Sequence, residues 1–418
     1  MSKQISNQWI KLKFSEIGKL NTSSVDKKIQ LNEQNAFLLN YMDVYRNNLI
    51  SNKINFQKIT ATSKELESLK VNKGDIFFTP SSETPDDIGH SAVIVSELID
   101  TLQSYHLVKL KLNDEKLMDL NFRGYVFNSE SVLNQFRLAA TGSTRFTISL
   151  KEFAKIEVYF TKSIPEQKKI ASILNSVDDL IEKIQSQINK LQDLKKSAMN
   201  ELMNKGINHK EFKDTKFGKI PKTWNTYKYN DLLKTVDNKL EMKDDKFYPL
   251  LSIRRRNGGI FSREKLIGKK ILTKTLGKAI VNTFIISKMQ IVHGASGYIS
   301  EKFKDHYVSS SYTQFAAKDK NKINTKFLFY YSHLDRVYKQ FLTSSHGVHI
   351  EKMTFNLKDW YKKEIILPNI EEQEEIVRII ECFENYISNT EKKLEKYNFF
   401  KKSLMQDLLA GKVRVSVN

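Results

Sequence analysis

SIPEQKKIASILNSVDDLIEKIQSQINKLQDLKKSAMNELMNKG (residues 163–206) and NIEEQEEIVRIIECFENYISNTEKKLEKYNFFKKSLMQDLLAGKVRVSVN (residues 369–418) read as one helix written twice. At a constant offset of 206, Gln167 meets Gln373, Ile170 meets Ile376 and Ile181 meets Ile387. Lys195, Lys196 and Ser197 meet Lys401, Lys402 and Ser403, Met199 meets Met405, and Leu202 meets Leu408. Apolar residues recur at steps of three and four in the same phase. The first stripe is Ile170, Leu174, Val177, Ile181, Ile184, Ile188, Leu191, Leu194, Ala198 and Leu202. The second is Ile376, Ile380, Phe383, Ile387, Thr390, Leu394, Tyr397, Phe400, Leu404 and Leu408. That spacing is a coiled-coil seam. Each stripe spans roughly 50 Å at the helical rise, too much apolar surface to leave in water, so each copy needs a partner. The expectation is that the two copies pair antiparallel about a pseudo-twofold axis. Thr390 interrupts the second seam; it reads as a tolerated surface residue, with a polar break that fixes register as the alternative. Ser163 with Glu166, and Asn369 with Glu372, have N-cap and N3 spacing, with Pro165 in the first turn.

Outward from the helices, the repeat resumes at a different offset. Trp9 pairs with Trp224, Phe14 with Tyr229, Glu16 with Asp231 and Ile17 with Leu232, all 215 apart. The edges of two globular segments therefore match while their interiors diverge. Short apolar runs at 75–79, 92–95, 107–112 and 156–160, and at 247–253, 279–281, 284–286 and 364–367, predict strands punctuated by Gly, Asn and Asp. Residues 130–138 and 326–341 predict helices. The fold class expected is α+β: two similar globular recognition domains separated by two long antiparallel coiled-coil helices, as a pseudo-twofold internal repeat. The boundaries are 1–160 for the first domain, 161–208 for the central helix, 209–366 for the second domain and 367–418 for the C-terminal helix.

At 418 residues the chain exceeds what one hydrophobic core organises, and 40% hydrophobic residues with six prolines exclude a disordered chain. No apolar run reaches the ~18 residues of a membrane span, and residues 1–25 lack the apolar stretch of a signal peptide. The single cysteine, Cys382, excludes an intrachain disulfide framework and fits a cytoplasmic protein; its place on a helical stripe predicts a small apolar packing residue. The net charge of +20 is uneven. Residues 251–350 hold 18 Lys/Arg against 5 Asp/Glu, whereas residues 1–150 hold 18 against 16. A polyanion such as DNA or RNA is the natural partner of the basic module.

Candidate contacts cluster in the domain interiors. In the second domain they are Arg254, Arg255, Arg256 and Asn257 before a Gly-Gly turn, then Lys288, Gln290, His293, Ser296 and Tyr298, then Ser310, Tyr312 and Gln314, and finally His346. Arginine forks suit guanine edges and phosphates alike; amides, hydroxyls and imidazoles on glycine-containing turns suit phosphate oxygens and base edges. The thinner set in the first domain is Thr79, Ser81, Ser82, Arg123, Arg137, Ser143, Thr144 and Arg145. No phosphate-binding loop, GxGxxG fingerprint, HExxH or pair of CxxC clusters is present, and no metal site is expected. The chain has many ways to hold nucleic acid and no evident way to cut or modify it.

Lys73-Gly-Asp-Ile-Phe-Phe78 followed by Ile88-Gly89, Ile164-Pro-Glu-Gln-Lys-Lys-Ile170, Phe217-Gly-Lys-Ile-Pro-Lys-Thr-Trp224 and the twin Lys-Lys-Ser helix ends stand in this order and spacing. On those motifs the whole chain resembles the specificity subunit of type I restriction–modification enzymes. The resemblance implies a reader of split double-stranded DNA targets, one half-site per recognition domain, with the helices setting the spacer. It implies two modification subunits that bind S-adenosylmethionine, methylate adenine and dock on the helices. It also implies two restriction subunits that use ATP and Mg to translocate and cleave. The chain itself would be non-catalytic, without a cofactor of its own. The near-neutral first domain departs from the simplest two-handed grip. Two other readings stay open: a standalone nucleic-acid-binding protein with a coiled-coil dimerisation arm, and an enzyme with an unfamiliar site.

Overall fold

In a computed structural model, described here for residues 8–25, 29–273 and 275–416, the chain divides into two compact units. One comprises residues 1–186 with 392–418, and the other residues 187–391. The division falls inside both long helices, Ile164–Lys205 and Ile370–Leu409. Each unit thus holds one globule, the N-terminal half of one long helix and the C-terminal half of the other. The expected α+β class and the pairing of the long helices are borne out.

Matching contacts build the two units. Both globules open and close on a two-stranded antiparallel ribbon, Trp9–Lys13 with Glu157–Thr161 in the first and Asn225–Lys228 with Glu364–Leu367 in the second. A one-turn helix follows each opening strand, Phe14–Ile17 and Tyr229–Leu232. The main core of the first unit runs from Phe14, Phe78 and Phe122 onto Ile170, Ala171 and Leu174 of the first long helix, and Leu408 and Leu409 of the second. That of the second runs from Tyr229, Phe315 and Trp360 onto Ile376, Val377 and Ile380, and Met203. Burying each such aliphatic side chain contributes about 1.5–3 kcal/mol.

Polar joints repeat the same symmetry. Gln167 Nε2 donates to Thr161 O and Leu117 O while its Oε1 accepts from Asp119 N; Gln373 Nε2 donates to Pro368 O and Lys322 O while its Oε1 accepts from Asn324 N. Asp119 and Asn324 cap equivalent helices, Leu120–Val126 and Thr325–Tyr331. On those helices Tyr125 Oη donates to Asp178, which also pairs with Lys401 at 2.6 Å. Tyr330 Oη donates to Glu384, which pairs with Lys195 at 2.7 Å. Each tyrosine joint ties a globule to both long helices at once. The pairs Asp178–Lys401 and Glu166–Arg414 in one unit, and Lys195–Glu384 and Gln187–Tyr386 in the other, run antiparallel.

The expected capping boxes are half made. Glu166 N and Glu372 N donate to Ser163 Oγ and Asn369 Oδ1 as the spacing requires. The two carboxylates turn elsewhere. Glu166 accepts from Thr161 and from Arg414, three residues past Gly411. Glu372 accepts from Ile207 N, from Trp224 Nε1 and pairs with His209, three residues past Gly206. Both glycines have φ near +66°, the left-handed turn that ends a helix.

Along the seam Ile170, Leu174, Ile184, Ile188, Ile376, Ile380 and Ile387 are buried, whereas Val177, Ile181, Leu191, Phe383, Leu394 and Tyr397 are half-buried. Leu194 and Phe400 are exposed, against the seam reading. Thr390 is buried rather than a surface residue, its hydroxyl satisfied by donating to Tyr386 O, 2.7 Å away. Cys382 is exposed and does not pack. Residues 326–341 form two helices, Thr325–Tyr331 and Asp335–Thr343, because Ser332 bonds back to Phe329 O and Leu334 begins a new N-terminus. The run at 279–281 is a turn; the strand lies just before it, at Leu276–Lys278.

Candidate nucleic-acid interface

In the second unit, one end of a four-stranded antiparallel sheet gathers most of the expected residues. The sheet orders Leu233–Thr235, Tyr312–Ala317, Thr283–Ser287 and Ser296–Ile299. The turn after Thr283–Ser287 carries Lys288, Gln290 and His293. Lys288 N donates to Ser311 O in the turn holding Ser310 and Tyr312, and Lys288 O accepts from Phe355 N beside the His346 ribbon. Backbone bonds thus join three turns at this end.

A fourth loop docks on them. The strands Phe247–Ile253 and Ile260–Ile267 form a hairpin whose connection, 254–259, reads RRRNGG. Arg256 and Asn257 both take positive φ, 56° and 57°, and Gly258 N donates to Arg255 O, which makes a mirror-image type I turn. Arg256 N donates to His293 O at 2.7 Å and Asn257 N to Gly294 O at 2.9 Å. The left-handed conformation costs a side chain with a Cβ roughly 1–2 kcal/mol, which Asn tolerates better than Arg. Arg254 lies over the Phe261 ring at 4.2 Å, and Arg255 pairs with Glu351, whose other oxygen is 3.4 Å from His293 Nε2.

Several expected residues of this unit are engaged within the protein. Gln314 is buried, accepting from Ile280 N and Thr283 and donating to Lys278 O. Ser296 is buried against Ser332, 3.0 Å away. Both are spent on internal bonds, a correction to the sequence reading. Tyr298 donates to Asn282 at the opposite end of its strand pair, under the Lys326 ammonium. Tyr312 is 2.9 Å from Ser252, Ser310 accepts from Thr275, and exposed His346 pairs with Asp359. The His346 contact holds the Asp359 carboxyl below its usual range.

In the first unit a cleft of about 500 Å³ brings Ser81, Ser82 and Arg145 together with Tyr41, Tyr45, Asp87 and His106. Arg145 donates to Ser81 Oγ at 3.0 Å, and the exposed Ser143 and Thr144 lie on the same turn. The Tyr41 and Tyr45 rings stack at 6.0 Å, and Tyr45 donates to Asp87, which also holds His90. Arg137 pairs with Asp86 outside this cleft, in a second one lined also by Lys401 and Lys402. Thr79 is fully buried, its hydroxyl 3.4 Å from His90 O. Arg123 is the plainest correction. Buried to 2% exposure, its guanidinium donates to Gly74 O, Glu115 and Met118 O, clamping two loops. The sequence reading missed Tyr41, Tyr45 and Asp87; their i, i+4 spacing on the helix Tyr41–Arg46 was the available signal.

A family profile described as type I restriction modification DNA specificity domain matches residues 7–192 and 221–397. The chain belongs to the type I restriction–modification DNA specificity family. It is similar to the putative type I restriction enzyme MjaX specificity subunit of Methanocaldococcus jannaschii, 25% identical over 363 residues covering 82% of this chain and 79% of that one. The type I restriction enzyme MjaVIII specificity subunit of the same organism is 26% identical over 380 residues, covering 85% and 82%. In fold the chain is similar to a type I S subunit from M. genitalium, with TM-score 0.52 at 13% identity, covering 98% and 97%. A chain from a study of complex assembly and conformational transition of the type I R-M system gives 0.52 at 12%, covering 97% and 98%.

This specificity subunit is itself non-catalytic and supplies DNA specificity within a type I system. Among the described residues no helix is long and apolar enough to cross a membrane.

Proposed function

We propose that this specificity subunit reads a split double-stranded DNA target, residues 1–160 and 209–366 each taking one half-site. The segments 161–208 and 367–418 set the spacer between them. The observation that carries this reading is the contrast between identical joints and unlike loop ends. Gln167 and Gln373, Tyr125 and Tyr330, Asp178 and Glu384, Lys401 and Lys195 hold both globules to the helices in one way. The loop ends meanwhile offer an arginine turn in one unit and a tyrosine cleft in the other. A common mount with different heads is what a two-part sequence reader requires, phosphate contacts fixing register and loop side chains reading base edges.

Two modification subunits that bind S-adenosylmethionine methylate adenine at the chosen site, and two restriction subunits powered by ATP with Mg translocate and cleave. Exposed Leu194, Phe399 and Phe400 on the long helices support docking there. A standalone protein with a dimerising arm would need free seams, and Ile184, Ile188, Ile387 and Thr390 are already buried within one chain. The test is to express the chain with its modification subunits and map methylated adenines genome-wide. One bipartite motif with a fixed gap is expected. A contiguous motif, or methyl transfer by the purified chain alone, defeats the proposal.

A further inference from the structure

The 254–259 turn keeps an arginine at a position where glycine would suit the backbone better. Gly259 is itself left-handed, with φ of 70°, and a Cβ on Gly258 would come within 2.7 Å of Arg254 Cβ, so both glycines serve the bend; the left-handed positions before them are nonetheless filled by Arg256 and Asn257. Glycine at 256 would relieve the backbone, so the side chain is what the position retains at a cost in stability. The neighbouring arginines have internal employment, Arg254 stacked on Phe261 and Arg255 paired with Glu351. Arg256 is exposed and, among the described residues, its guanidinium has no hydrogen bond, ion pair or ring contact. Its backbone is nonetheless fixed, since Arg256 N and Asn257 N both donate into the 293–294 turn. Gly294 permits that approach: a Cβ there would come within 2.8 Å of Asn257 Oδ1.

We infer that Arg256 is the specificity-determining residue of the second unit and reads a guanine through its O6 and N7 edge in the major groove. A free planar fork on an immobilised turn tip matches two acceptors side by side, and preorganisation spares the ordering entropy of a mobile loop. Arg254 and Arg255, held flat against the protein, flank it as phosphate neighbours. This inference rests on the split-target reading above and names one base within it.

The experiment uses the full chain reconstituted with its modification subunits, assayed against duplexes randomised in both half-sites. Wild type should require guanine at one position of one half-site. R256G and R256K should each reduce that preference by roughly ten- to a hundredfold, with all other positions unchanged. R256G should hold or raise the melting temperature, because glycine adopts φ near +60° freely; this variant guards against loss of fold as an explanation. R256K retains charge but not the fork, so wild-type selectivity from R256K makes Arg256 a phosphate contact and overturns the inference. A uniform loss across all duplexes, or an unchanged motif in R256G, overturns it equally. Should wild type give no bipartite motif, the split-target reading itself fails, and this inference with it.

Discussion

Single residues in the second unit carry measurable electrostatics. His333 is buried against the Phe329 ring, 4.7 Å away, and its Nε2 has no hydrogen-bond partner. Burial, helped by the Lys195 charge, pushes its pKa down to about 4. The folded imidazole is thus neutral where the unfolded one, near 6.5, takes a proton. The unfolded state then binds more protons between these values, so stability is intact above pH 6.5 and is lost as pH falls towards 4. Between pH 7 and pH 5 the loss is on the order of 2 kcal/mol. Urea midpoints at the two pH values should separate widely for wild type and less for His333→Gln; equal separations would discount the site. The proposed phosphate role of Arg254 and Arg255 is tested by salt dependence. Replacing all of Arg254, Arg255 and Arg256 by Ala should weaken DNA binding and flatten its log–log salt slope by about 0.9 per lost phosphate contact. An unaltered slope removes the turn from the interface.

At the scale of elements, the tyrosine joints decide how each globule is mounted. Tyr125 and Tyr330 are buried phenols whose pKa values rise through burial and then through the facing carboxylate, so both stay protonated and donate at any ordinary pH. Y125F and Y330F each delete a hydrogen bond to a charged acceptor, Y125F also a 2.6 Å contact with Asn175 Oδ1, and should cost ~1.5–3 kcal/mol. The matched geometry predicts matched losses in thermal melts; a silent Y330F beside a damaging Y125F would break the symmetry argument. An insertion of four residues near Gln185 adds ~6 Å of helix. It should lengthen the permitted gap in the methylated motif and leave both half-sites intact, and an altered half-site would refute a spacer role. These helices were legible because a seam repeats at fixed steps and its second copy confirms the phase. The joints were only half legible. Gln167 and Gln373 stood out at the offset of 206, but nothing local tells that their amides cap backbone in the globule. The buried Arg123 was hidden for the same reason, because its clamp reaches Gly74, 49 residues away in sequence; the break at Ser332, made by its bond to Phe329 O, has no proline or glycine to announce it. Among the base-facing candidates, the RRRNGG run declared itself by charge, while the tyrosine cleft, near-neutral and assembled from four segments, did not.

At the scale of the molecule, the cores determine what can be exchanged. The buried cluster around Phe78 and Phe122 belongs wholly to the first unit, and that around Phe315 and Trp360 wholly to the second. Each closes on its own halves of the long helices, so one recognition domain can be replaced without opening the other. The replacement must still meet Ile170, Leu174 and Leu408 with apolar groups and present a phenol to Asp178. A mismatch at Leu174 of the kind made by truncation to Ala would cost ~2–5 kcal/mol. Exchanging residues 1–150 for those of another family member that keeps these groups should give a folded chimera. Methylated adenines mapped in cells carrying it should show one half of the bipartite motif replaced by the donor's, with the other half and the gap retained. If both halves change together, sequence is read by the two domains jointly; if neither changes, residues 1–150 contribute grip without readout, which their near-neutral charge would then explain.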